Sequence, residues 1–233
     1  MAHKKVYIYR LFERIWHWTQ ALLIFALIFT GFEIHSSYTA IGFENAVRYH
    51  NVAAISLIIL IIFAIFWHFT TDEWKQYIPT TKNLKAQINY YITGIFKNAP
   101  HPTRKTLLSK LNPLQRLVYL ALKLFMTPLM VITGLLYLFY RYPAKGRIES
   151  LEWVNLEVVA LLHTLGAFML VAFVIAHVYL ITTGHTLSSN LKAMITGYEE
   201  LEEDADGEDQ HGTEPEQKRE TTHIEQQIND TEK

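Results

Sequence analysis

Five histidines, His17, His50, His68, His163 and His177, lie within or at the ends of long apolar stretches in a chain of 233 residues that contains no cysteine. An ionisable side chain in such surroundings is costly and usually marks a function. Neutral imidazole is a ready metal ligand. The lack of cysteine removes disulfides, thiolate-bound zinc, iron–sulfur clusters and covalently attached c-type haem, so any redox chemistry belongs to a cofactor held by nitrogen or oxygen. His163 and His177 share one stretch at a separation of 14 residues. At about 100° and ~1.5 Å per residue they fall on one helix face, roughly 21 Å apart along the axis.

The elements that must position these rings are four apolar segments, approximately Ile15–Phe32, Val52–Phe69, Leu117–Tyr140 and Val158–Thr182. Each is long enough to cross a bilayer, which takes roughly 20 helical residues. A soluble bundle would need a polar face on every helix, and the run LIILIIFAIF at 57–66 offers none at any helical phase. Half the residues are hydrophobic and 18% charged, which excludes a disordered, collagen-like or nucleic-acid-binding chain. The sequence therefore predicts an all-α, four-helix transmembrane bundle. No cleaved signal peptide is expected, because the apolar run after Arg14 is longer than an h-region and lacks an A-x-A-like site.

Lys and Arg in the short loops set the orientation. Lys4, Lys5, Arg10 and Arg14 precede the first span, and Lys75, Lys82, Lys85, Lys97, Arg104, Lys105 and Lys110 lie between the second and third. The other two loops carry Arg48 alone, and Arg141, Lys145 and Arg147 offset by glutamates. Both termini are expected on the cytoplasmic side of a prokaryotic inner membrane, with Trp16, Trp18, Trp67, Trp74, Trp153, Tyr140 and Tyr142 in the aromatic belts. The segment LKAQINYYITGIF at 84–96 predicts a short interfacial helix. Residues 1–198 carry 18 basic against 8 acidic residues and residues 199–233 carry 3 against 14. The predicted division is thus a membrane domain over 1–198 and a disordered acidic cytoplasmic tail over 199–233. No internal repeat of 20–50 residues is visible.

With that orientation the histidines fall into two levels. His17 and His177 lie at the cytoplasmic end, His50 and His163 at the outer end, and His68, near the cytoplasmic end of the second span, competes with His17 for the inner position. Two imidazoles facing each other across a bundle suit the axial positions of a haem iron, so two b-type haems are the expected cofactors. A structural zinc needs four clustered ligands instead. Gly31, Gly134 and Gly166 would let a flat macrocycle approach the backbone, or would simply serve close helix packing. Arg14 and Arg48 are placed for haem propionates, although Arg14 is explained equally by membrane anchoring.

The segments WHWTQ (16–20), VRYHNVAA (47–54), LNPLQRLVY (111–119), VITGLLY (131–137), LLHTLGAFMLVAFVIAHVYL (161–180) and TTGHTLSSNLKAMITGYEE (182–200) resemble the di-haem cytochrome b subunits of respiratory nickel–iron hydrogenases, formate dehydrogenases and thiosulfate reductases. The resemblance covers about residues 10–200. It implies His17 and His177 as one haem pair and His50 and His163 as the other, which leaves His68 an interfacial role. His185 resembles a family element at the cytoplasmic surface.

The family further implies a quinone site near the inner haem, with menaquinone or ubiquinone as the exchangeable substrate. Asn112 and Gln115 correspond to polar residues that approach it, with His68 nearby; Asn-Pro is also an ordinary helix cap and start. The implied function is transfer of electrons between the quinone pool and an outer-side iron–sulfur or multihaem subunit attached to a catalytic subunit. The loops at 31–45 and 141–157 form the expected docking surface. Two other classes are a haem-free membrane anchor, and a secondary transporter, for which the paired repeats and interrupted helices are not evident.

Overall fold

The structure, a computed structural model, describes residues 3–97, 99, 102–103, 110–141, 155–184 and 186–202. His185, Trp153, Tyr142, most of the 141–157 connection, residues 104–109 and the tail beyond 202 lie outside the described residues, so the expectations attached to them stay as stated. The chain divides into a main unit, Lys5–Glu200, and a smaller one formed by Met1–Lys4 and Leu201–Lys233.

Among the described residues, four helical spans are long and apolar enough to cross a membrane: Leu11–Ile34, Phe43–Thr70, Pro113–Phe139 and Leu156–Ile181. The first two are the uninterrupted helices α1 (Leu11–Ile34) and α2 (Phe43–Thr70), and they pack on each other. After the short helix α3 (Leu84–Asn89), which continues through a π turn at Tyr90–Gly94 and a 3-10 turn at Ile95–Lys97, the third span is built in two pieces. Helix α4 (Pro113–Ala121) joins α5 (Thr127–Arg141) through a π turn at Leu122–Met126. Pro128 accounts for the join: it has no N–H for the carbonyl of residue 124, and its ring crowds that carbonyl. The fourth span, α6 (Leu156–Ile181), packs on α5 and is followed by α7 (Ser189–Thr196).

The spans turn their apolar side chains outward. Leu22, Phe66 and Leu161 are 71%, 67% and 67% exposed, which in water would be a severe liability and in lipid is the expected surface. What is buried instead is small or polar: Ala46, Ala53, Ala64, Thr30, Glu33, His68 and Thr133. Small residues bring backbones together where lipid offers no hydrophobic drive between helices.

Polar side chains fix the helix ends. Glu33 Oε1 accepts hydrogen bonds from the backbone N–H groups of Ala40, Ile41 and Gly42 at 2.9, 2.8 and 2.7 Å, so a carboxylate from α1 caps the start of α2. Tyr38 donates its hydroxyl to the Phe29 carbonyl in the same turn. At the other end of the bundle, Lys110 Nζ lies 2.8 Å from Glu13 Oε1 and 3.1 Å from Glu73 Oε2, tying α1 to the turns that flank α2 and α4. Arg14 Nη1 and Trp18 Nε1 donate to the carbonyls of Ile195 and Met194 at 2.5 and 3.2 Å, which satisfies the last turn of α7.

A two-stranded ribbon of β1 (His3–Tyr7) and β2 (Tyr198–Glu202) accompanies the helices. Gly197 turns the chain into β2 at φ +89°, and its carbonyl accepts from the N–H groups of Ile8 and Tyr9. A Cβ at Gly197 would come within 2.8 Å of the Tyr9 carbonyl oxygen, so only glycine fits the turn.

Candidate functional site

The bundle brings four of the five histidines into two pairs. His17 of α1 faces His177 of α6 with ring centroids 6.3 Å apart, and His50 of α2 faces His163 of α6 with centroids 6.5 Å apart. Imidazoles bonded through one nitrogen each, at about 2 Å, to a shared metal ion would have centroids roughly 6 Å apart. Both spacings therefore suit a single ion with two opposed nitrogen ligands. Among the described residues no group of three or more His, Cys, Asp or Glu side chains could hold a metal, so an ion between either pair would take at most two of its ligands from these side chains, a donor set that fits a porphyrin-bound iron.

The pair of His50 and His163 is held by two hydroxyls that pattern reading did not single out. His50 Nδ1 lies 2.9 Å from Thr30 Oγ1, and His163 Nδ1 lies 2.8 Å from Thr133 Oγ1. Each hydroxyl donates its own hydrogen to a carbonyl one turn back, Thr30 to Ala26 at 2.7 Å and Thr133 to Leu129 at 2.6 Å. A hydroxyl has one hydrogen to give, so Nδ1 of each histidine is the donor and Nε2 of the neutral ring keeps a free lone pair. Beside each threonine stands a glycine. A Cβ on Gly31 would lie 3.6 Å from His50 Cε1, and one on Gly134 would lie 3.4 Å from His163 Cε1. The two glycines thus open a cradle beside each ring that a methyl group would fill.

The signal was present in the sequence: of five Thr–Gly dipeptides, two, at 30–31 and 133–134, fall inside apolar spans. Each serves a histidine on the next span. Gly166 differs, since its Cβ would strike Met130 Sδ at 2.6 Å, which makes it a packing contact between α6 and α5.

The other pair is built differently. His17 Nδ1 is buried without a hydrogen-bond partner, and Phe173 stacks on His177 at 5.7 Å. His68 does not join it. Its Nδ1 donates to the Ala64 carbonyl at 2.5 Å, and its Nε2 lies 3.2 Å from Tyr77 Oη and 3.3 Å from Lys123 Nζ. Lys123, within the π turn, also sits 3.3 Å from the centroid of the Tyr77 ring. Burial pushes the Tyr77 phenol to a higher pKa, helped by the charge of Glu13, so its hydroxyl is a donor at neutral pH. Trp16 packs edge-on against His68 at 5.3 Å and keeps a buried indole N–H without a partner.

Asn112 and Gln115 form a reciprocal capping box. Gln115 N donates to Asn112 Oδ1 at 2.8 Å, Asn112 N donates to Gln115 Oε1 at 3.0 Å, and Asn112 Nδ2 donates to Tyr91 Oη at 3.1 Å. Their polar groups therefore begin α4. Arg14 caps α7, while Arg48 is exposed on α2 two residues before His50.

This arrangement is a helical membrane bundle with paired imidazoles, the design of a membrane cytochrome. The prokaryotic cytochrome b561 family model matches residues 8–197, and the chain belongs to that family. It is 30% identical over 202 residues to "Putative cytochrome YdhU" of Escherichia coli (strain K12), covering 84% of this chain and 75% of that protein. It is 26% identical to the "Probable Ni/Fe-hydrogenase B-type cytochrome subunit" of Rhizobium leguminosarum bv. viciae, over 84% of this chain and 90% of that one. The protein of the same name from Rhodobacter capsulatus is 26% identical, over 85% and 83%. The chain is a multi-pass membrane b-type cytochrome that works in electron transfer.

Proposed function

We propose that the chain is a di-haem subunit carrying electrons across a prokaryotic cytoplasmic membrane between an outer-side oxidoreductase and the quinone pool. His17 and His177 hold one haem, and His50 and His163 hold the other. The observation that carries this reading is the pair of opposed imidazole pairs on different helices, with His163 and His177 roughly 21 Å apart along α6. Haem supplies one-electron exchange, while the helices fix ligand identity, spacing and the dielectric.

Lys4, Lys5, Arg10, Arg14 and the lysines between α2 and α4 favour a cytoplasmic position for both termini. The outer partner is an iron–sulfur or multihaem subunit bound to a catalytic subunit, and the hydrogenase relatives favour a hydrogen-oxidising one. Menaquinone or ubiquinone exchanges at the level of His17 and His177. There Trp16 Nε1 offers a hydrogen bond to a carbonyl, and Tyr77 Oη, His68 Nε2 and Lys123 Nζ form a short proton-conducting group. Reduction of the quinone takes two electrons and two protons from the cytoplasm. Asn112 and Gln115 fix the start of α4 through the capping box, and a contact of either with the quinone would use the groups the cap leaves over. Two electrons moved inward against about 150 mV store about 7 kcal/mol.

The test is reduction of the purified chain by a menaquinol or ubiquinol analogue. The expected result is a b-type difference spectrum in the wild type and a much slower reduction in His68→Ala and Lys123→Met at unchanged haem content. A coloured protein that neither quinol reduces would contradict the quinone assignment.

A further inference from the structure

The two imidazole pairs differ in what holds their second nitrogen. On the side of His50 and His163, both Nδ1–H groups enter a two-step chain, imidazole to threonine hydroxyl to backbone carbonyl, with every contact between 2.6 and 2.9 Å. Thr30 and Thr133 are buried, at 3% and 4% exposure, so no water competes for the hydroxyl oxygen. On the side of His17 and His177, His17 Nδ1 is buried and unpartnered, and the Phe173 ring stacks on His177 at 5.7 Å.

An Nδ1–H that donates to an acceptor makes Nε2 a more basic ligand. The threonine oxygen is a better acceptor because it is itself donating, since linked hydrogen bonds polarise one another in a low dielectric. A more basic ligand pair favours the oxidised, more positively charged metal, and so lowers its reduction potential. We propose that Thr30 and Thr133 are positioning residues that lock His50 and His163 as Nδ1–H tautomers and set the haem between them at a lower potential than the haem between His17 and His177. The proposal rests on the di-haem reading. It adds a built-in gradient: an electron leaving one haem arrives at the other, with no change in total charge, and equilibrium favours the end where Lys123 and His68 lie. The device is repeated, Thr30-Gly31 of α1 serving α2 and Thr133-Gly134 of α5 serving α6.

The experiment is a redox titration of the purified holoprotein, followed optically and by electron paramagnetic resonance. His163→Ala and His177→Ala first identify which component belongs to which pair. Thr30→Val and Thr133→Val remove the acceptor while keeping the shape, and Thr30→Ser and Thr133→Ser keep it. The expected outcome is an upward shift of the component lost in His163→Ala, by about 59 mV for a tenfold change in a one-electron equilibrium. The other component stays in place, and both serine variants retain the wild-type value. If the valine variants lose that haem, retention by the serine variants at the wild-type potential supports the proposal, and loss in the serine variants as well overturns it. Unmoved potentials in the valine variants, or equal movement of both components, also overturn it. A wild-type protein without two haems would instead defeat the di-haem reading before any threonine is changed.

Discussion

His163 meets four neighbours of different kinds: His50 across 6.5 Å, the Tyr137 ring edge-on at 6.2 Å, the Thr133 hydroxyl at 2.8 Å and the bare backbone of Gly134. These contacts fix the tilt of the ring and the direction of its Nδ1. Replacing Gly134 by Val puts a branched side chain beside Cε1, and the expected result is loss of at least half the haem at that level, read from the pyridine haemochrome count, with the other level untouched. Gly166→Ala meets the flexible thioether of Met130 of α5 instead, which can turn aside, so only a small loss of stability is expected by thermal unfolding, with haem content per folded chain unchanged.

That His17 would lie near His177 and His50 near His163 was legible in the sequence, because a 14-residue separation and alternating spans bring them to matching heights. The choice between His17 and His68 was not, because depth says nothing of which way a ring points. His68 turns toward Tyr77 and Lys123, and the residue that turns it is the Ala64 carbonyl one turn back.

At the scale of elements, the bundle depends on polar ties at both ends. Lys110 links Glu13 of α1 with Glu73 in the turn after α2, and all three side chains are largely buried. Lys110→Met would leave two carboxylates facing each other with little water, and the expected loss is about 3–5 kcal/mol, measurable as a lowered unfolding midpoint in detergent. A double variant, Lys110→Met with Glu13→Gln, is expected to regain part of that loss. Glu33 performs the corresponding task at the start of α2, and Glu33→Ala is expected to cost about 1–2 kcal/mol, since three backbone N–H groups lose their acceptor.

The four spans, the short helix beginning at Leu84 and the cap at Asn112 could all be read from hydropathy and from the Asn-Pro signal. The π turn was less visible. Pro128 announces a broken hydrogen bond, yet only the packed helix shows the irregularity taken up at Leu122–Met126, which turns Lys123 toward Tyr77. The ribbon of β1 and β2 had no alternating apolar signal; a glycine at φ +89° and the carbonyl it presents to Ile8 and Tyr9 create it.

For the whole molecule, a shell of exposed Leu, Ile and Phe around buried small and polar residues identifies lipid as the solvent. The Lys and Arg distribution favours cytoplasmic termini, so a fluorescent protein fused after Lys233 is expected to fluoresce in the cytoplasm whereas alkaline phosphatase fused there stays inactive. In the orientation proposed above, the Thr-anchored histidine pair would lie toward the outer side and the pair beside Trp16 and His68 toward the cytoplasm.

Haem stoichiometry after single histidine replacements tests the two-pair arrangement most directly. Two b haems per wild-type chain are expected, one in each of His17→Ala, His50→Ala, His163→Ala and His177→Ala, none in the His163→Ala, His177→Ala double variant, and two in His68→Ala. A folded wild-type chain with fewer than two haems, or a His163→Ala variant that keeps both, would contradict it.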